Sequence, residues 1–141
     1  MGGETQKGGR GVRRIYTYYD GAQSPVRCFF EKANAKIKDK FMFCMKYVKD
    51  DKNCFGKPYV KHFSGGKFSR LFEVRIMAIG KMVRVIFYEH NGDIILLYAF
   101  YKRTHKDTKD ALAASLKILD KISDGEGAVL EKHREELILN D

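Results

Sequence analysis

The sequence predicts an α+β fold, with an N-terminal helical hairpin and a C-terminal helix packed on a small antiparallel β-sheet. Three observations predict it. Apolar residues recur at helical spacing from Val26 to Val48 behind a Ser-Pro start signal. From Phe72 the period changes to two and holds through two segments, and a third, continuously apolar segment ends at Tyr101, with turn signals between them. A second helical stripe then runs from Leu112 to Ile122.

In chain order, Ile15 to Tyr19 is a short β-prone run stopped by Asp20-Gly21. Ser24 is placed as an N-cap with Pro25 at the first helical position, and Val26, Phe29, Phe30 and Ala33 follow on one face. Asn34 is the cap of a second helix, whose stripe is Ile37, Phe41, Cys44, Met45 and Val48. The polar segment 49–57 ends it. Phe72, Val74 and Ile76 alternate with Glu73, Arg75 and Met77, and Gly80-Lys81 is the candidate turn into Val83, Val85 and Phe87. Asn91-Gly92 fits a type I′ hairpin turn, where both central residues need positive φ. Ile94 to Tyr101 is apolar on both faces, as a central strand is. Asp107 and Asp110 are spaced like an N-cap and its N3 partner, and Leu112, Ser115, Leu116, Leu119 and Ile122 form the buried stripe of the last helix. Gly125 and Gly127 mark its end. Residues 1–11 read as a flexible basic arm, 12–125 as a single domain, and 126–141 as an acidic tail with the amphipathic character of a short helix.

The chain has 141 residues, enough for one core, and 44% of them are hydrophobic. Lys and Arg number 27 against 18 Asp and Glu, a net charge of +9, which points to an anionic partner such as nucleic acid, a ribosomal surface or an acidic protein. The three cysteines, Cys28, Cys44 and Cys54, are odd in number and lack metal-ligand spacing, which suits a reducing, cytoplasmic setting. No apolar run reaches the roughly 20 residues of a membrane span, so no membrane partner is expected. No carboxylate cluster marks a metal site, and no motif calls for a cofactor.

The stretch "LLYAFYKRTHK" carries an apolar strand directly into Lys102, Arg103, His105 and Lys106. With two-residue turns at Gly80-Lys81 and Asn91-Gly92, Arg75 faces Ile86 and Arg84 faces Ala99. Glu73, Arg75, Arg84, Tyr88, Tyr101 and Arg103 then share one sheet face. The other face collects the core, with Leu96, Tyr98 and Phe100 among it. Arg75 and Arg84 fall about 7–8 Å apart as diagonal neighbours, with Arg103 roughly 13 Å along the strand. That spacing suits a polyanion. An ordinary solvated face, with Glu73 neutralising Arg75, gives the same alternation.

The stretches "GKPYVKHFSGGKFSRLFEVRI", "MVRVIFYEHNGDIILLYAFYKR" and "THKDTKDALAASLKIL", in this order, resemble the RelE/HigB toxins of bacterial type II toxin–antitoxin systems, in particular the phage-derived Gp49-like branch. The resemblance runs roughly from Ile15 to Ile122. It implies a RelE-like fold and metal-independent, ribosome-dependent cleavage of mRNA. It also implies inhibition by a cognate antitoxin, often one with a helix-turn-helix domain. By this resemblance Arg75 stands at the arginine of an L-x-E-L-R strand, Arg84 at that of a Y-R-V strand, and Lys102 and Arg103 at a basic pair. The catalytic tyrosine found beyond that pair in other branches is absent, because the region reads Lys109-Asp110-Ala111. Thr108 replaces a usual proline, and Met82 and Val83 stand where an aromatic is usual.

The catalytic candidates are therefore Arg84, Arg103, His105 and Tyr88. His105 is a candidate for proton transfer because an imidazole titrates near neutrality. The candidates for holding RNA phosphates are Arg75, Lys102, Tyr101 and Lys106. Two other classes share the fold: a non-catalytic module binding RNA or an acidic protein, and a ParE-like toxin acting on DNA gyrase. The acidic tail is also a candidate to lie over the basic face and compete with RNA.

Overall fold

The computed structural model describes residues 13–50, 59–122 and 131–139. The basic arm at residues 1–11, the stretch 51–57 with Cys54, and Gly125 and Gly127 lie outside the described residues. The elements are β1 (Ile15–Tyr18), α1 (Pro25–Glu31), α2 (Ala35–Asp50), β2 (Val60–His62), a 3-10 turn (Gly66–Phe68), β3 (Phe72–Ala78), β4 (Lys81–His90), β5 (Asp93–Tyr101), α3 (His105–Ile122) and β6 (Arg134–Glu136). The fold is α+β, with a mostly antiparallel sheet in the order β2-β3-β4-β5-β1-β6, compatible with a RelE-like architecture.

The helical hairpin forms for the local reasons its sequence offers. Ser24 Oγ accepts from the Arg27 amide at 3.2 Å, with Pro25 opening α1. Asn34 Oδ1 accepts from the Lys36 amide at 2.8 Å at the start of α2. The predicted stripe of α2 is the buried one: Ile37, Phe41, Cys44, Met45 and Val48. Each large side chain so buried stabilises the fold by about 1.5–3 kcal/mol. Burial also pushes the Cys44 thiol up to about 11, so it packs as a small neutral group.

Each face of the sheet carries a core cluster. Val74, Ile76, Val83, Val85, Phe87, Ile94 and Leu96 meet α1 and α2, while Ile86, Tyr88, Ile95 and Leu97 meet α3 through Ala111, Leu112, Leu119 and Ile122. β5 is central, as its two apolar faces require. β1 pairs with it in parallel, Ile15 beside Ile94 and Thr17 beside Leu96. The tail departs from the expected short helix at Arg134–Glu136, which pair antiparallel with β1. Arg27 clamps this edge, donating to Thr17 Oγ1 at 3.1 Å and to the Glu136 carbonyl at 3.0 Å, with Glu135 Oε1 at 3.2 Å.

Two strand registers and one helix start differ from the sequence expectation. The β3–β4 turn has Ile79 and Gly80 at its centre, because Ala78 pairs with Lys81. Arg75 therefore faces Arg84 directly, not Ile86. The β4–β5 turn does sit at Asn91-Gly92, but a bulge between Ile86 and Phe87 shifts the pairing, so Arg84 faces Phe100, not Ala99. The third difference is the start of α3, which opens three residues early. Thr104 is the cap, Asp107 N donates to Thr104 Oγ1 at 3.4 Å, and Asp107 Oδ2 accepts from the Arg103 and Thr104 amides at 2.8 and 2.9 Å. Asp107 is thus the N3 member of a capping box. These two amide bonds, above all that from Arg103, hold its carboxyl below the usual range.

The hairpin centred on Ile79-Gly80 is strained. Ile79 has φ 46° and Gly80 φ 74°, and a β-branched residue is unsuited to the left-handed region. The other hairpin uses Asn91 at φ 51° in the same place. Ile79→Asn is expected to raise stability by about 1 kcal/mol, read as a higher urea midpoint at unchanged slope.

Candidate functional site

Two arginines on adjacent strands, directly opposite one another, repel. Here that pair, Arg75 and Arg84, is held by Glu73, two residues before Arg75 on the same face. Glu73 Oε1 lies 3.3 Å from Arg75 Nε and 3.6 Å from Arg84 Nε. Glu73 is only 2% exposed, and the Arg84 side chain 11%, whereas Arg75 reaches solvent. Burial lowers the Arg84 pKa; Glu73 opposes this and Arg75 adds to it. The Arg84 guanidinium also donates to the Val83 carbonyl at 3.3 Å. Two polar atoms of the cluster remain buried without a hydrogen bond, Glu73 Oε2 and Arg84 Nε. Two cations against one anion leave a net positive charge, and the forked guanidinium donors match phosphate oxygens.

The bulge decides which other candidates join this pair. Beyond it, Tyr98 and Phe100 pack with the α3-side cluster and Tyr101 with the α1-side cluster. The sequence expectation had these faces reversed, since an extra residue in one strand flips everything after it. Tyr101 lies against Phe29 of α1, ring centroids 4.8 Å apart, and Arg103 sits over the Tyr101 ring at 5.8 Å. Both are thus on the opposite side of β5 from Arg84. Lys102 takes the place expected of Arg103. Its amide donates to the Met82 carbonyl at 2.8 Å, and alternation from Phe100 puts it on the Arg84 side.

Tyr88 shares the Arg84 face but is 1% exposed, about 13 Å along the strand. It is a core residue against α3. Burial raises its pKa, opposed by Arg70 and Arg134, and its hydroxyl lacks a hydrogen-bond partner. His105 is the exposed first residue of α3, not a loop residue. Lys106 is exposed and paired with Asp110 at 2.8 Å, one turn on. The sequence pattern offers Glu73 as a neutraliser of Arg75 and does not reveal its ion pair with Arg84. The signal was present in the Glu73-x-Arg75 spacing, but only the correct register brings Arg84 beside it.

The described tail lies away from this cluster. β6 is three strand spacings, about 14 Å, from β4, and Glu135 is engaged by Arg27. A hollow of about 310 Å³ between α1, α2 and Leu137 is lined largely by apolar groups such as Val26, Phe30 and Phe41, and none of the candidates above borders it. Among the described residues, no helix is long and apolar enough to cross a membrane, and no three His, Cys, Asp or Glu side chains are grouped to hold a metal ion.

Neither the curated proteins nor the solved structures include a significant match to the chain. A family profile described as "Phage derived protein Gp49-like" (DUF891) matches residues 28–120, a span from α1 through nearly all of α3 that contains every residue of the arginine cluster. The chain therefore belongs to the phage-derived Gp49-like family, a family associated with the toxins of toxin–antitoxin systems.

Proposed function

We propose that this protein is a RelE/HigB-type toxin, a ribosome-dependent endoribonuclease that cuts mRNA and is held inactive by a cognate antitoxin with a helix-turn-helix domain. The observation that carries the reading is the Arg75–Arg84 pair, opposed across two strands and fixed by a shared buried carboxylate. Such a cluster is preorganised for an oxyanion and poorly neutralised without one. RNA supplies its own nucleophile. The 2′-oxygen attacks the adjacent phosphorus, the P–O5′ bond breaks, and the products are a 2′,3′-cyclic phosphate and a 5′-hydroxyl.

In this reading Arg84 donates to the non-bridging oxygens as charge builds on the phosphorane. Arg75 and Lys102 hold the flanking backbone. His105, exposed at the start of α3, is the candidate for proton transfer. Tyr88, buried and distant, is withdrawn from chemistry. Tyr101 and Arg103 form a separate contact on the α1 side, and Lys106 supports α3 through Asp110.

The test is induction of the toxin in cells, with mRNA ends mapped. New 5′-hydroxyl ends within translated regions, lost when translation initiation is blocked, are the expected result. Growth arrest without new ends replaces this reading with a ParE-like action on gyrase, and absence of toxicity replaces it with a non-catalytic binding module.

A further inference from the structure

We propose that Met77 and Met82 form an apolar shelf that receives an RNA base beside the phosphate held by Arg75 and Arg84. The inference rests on the nuclease reading and adds a base subsite to it. Met77 pairs with Met82 one step beyond the Arg75–Arg84 pair. Residues two apart share a face, so both methionines lie on the arginine side. The step is about 6.7 Å along the strand, comparable to one nucleotide of extended single-stranded RNA.

The shelf is open. Met77 is 57% exposed although its strand neighbours Val74 and Ile76 are fully buried, and Ile79 at the adjoining strained turn is 49% exposed. Of the four large hydrophobic residues exposed among the described residues, two are therefore at this one hairpin end. α3 covers Ile86 and Tyr88 further along β4 but leaves Met77 uncovered.

Its border favours a nucleic-acid base as occupant. Arg84 Nη2 lies 4.0 Å from Met82 Sδ, and the Lys102 amide is bonded to the Met82 carbonyl. The carboxylate beside them, Glu73, is buried and already shared by two guanidinium groups. An apolar surface edged by cations suits the planar face of a base whose own phosphates lie on either side. A flexible, polarisable thioether accepts any base, so the shelf contributes affinity with little sequence preference.

The test uses the full chain and two uncleavable ten-nucleotide probes at low salt: a single-stranded 2′-O-methyl oligoadenylate, and an oligomer of the same length made wholly of abasic units. Met77→Ser is expected to weaken binding of the base-bearing probe about tenfold and to leave the abasic probe unchanged. Met77→Leu should keep affinity for the base-bearing probe. Met77 is exposed, so these variants should keep the parent melting temperature. Arg84→Ala should weaken both probes. If it does, and Met77→Ser weakens both equally or neither, the shelf is wrong while the RNA reading stands. If Arg84→Ala changes neither, both fall together. A Met77→Ser defect seen only in antitoxin binding assigns the surface to that partner and overturns the shelf.

Discussion

Arg84→Ala is expected to lower the yield of new mRNA 5′-hydroxyl ends about 100- to 1,000-fold, the usual loss on removing one preorganised donor from a developing oxyanion. The side chain is mostly buried and held on both sides, by Glu73 and by the Val83 carbonyl, so its donors need little reorganisation when charge builds. Arg84→Lys should recover little. An ammonium is a point charge and cannot reproduce the guanidinium fork from the same backbone position. Arg103→Ala is the informative companion. The bulge in β5 puts Arg103 over Tyr101, on the far side from Arg84, and its loss should cost less than about tenfold. A larger loss at Arg103 than at Arg84 would move the reacting phosphate to the α1 side and sink the site described here. Growth arrest and end mapping in the same cultures measure both variants.

The second large effect is on stability. Glu73→Ala removes the one anion between two directly opposed guanidinium groups. Breaking a buried ion pair by deleting one partner costs about 3–5 kcal/mol. The cost here belongs at the lower end, about 3 kcal/mol, because Arg75 is open to solvent and screened there. Glu73→Gln should be intermediate, since the amide keeps the shape and one acceptor but not the charge. Glu73→Ala combined with Arg84→Ala should be less destabilising than the sum of the two changes, by about 1–2 kcal/mol, because the repulsion leaves with Arg84. Urea unfolding of the four proteins gives the cycle. A Glu73→Ala change within about 0.5 kcal/mol of the parent would show that the cluster does not depend on its carboxylate.

Much of this architecture was legible because the relevant signals were local. Ser24-Pro25, Asn34 and the α2 stripe each state a cap or a face within a few residues, and the structure forms them there. The period-two alternation of β3 and β4 likewise placed Arg75 and Arg84 on one face. The error at the first turn moved the pairing by two residues, which preserves faces. β5 was different. Leu96, Leu97, Tyr98, Ala99 and Phe100 are all apolar, so alternation there carries no record of which side each faces. No glycine marks the bulge. A slip of one residue therefore passed unseen and exchanged Lys102 with Arg103 as the neighbour of Arg84. The start of α3 was misplaced for another reason: Asp107 is a good cap in its own right, and only the amide bonds from Arg103 and Thr104 reveal it as the inner member of the box.

The place of β1 has a consequence for when the molecule comes to exist as a folded body. This first strand is flanked by β5 and β6. The Arg14 amide bonds Asp93, 79 residues on, and Thr17 bonds Glu135, 118 residues on. During synthesis at about 5–20 residues per second, the strand made first waits several seconds for its first partner and longer for its second. Contacts of such long sequence separation are slow to close. The finished sheet thus forms only after residues 134–136 have left the ribosome that made them, an interval in which a binding protein already present has the first opportunity to meet the chain.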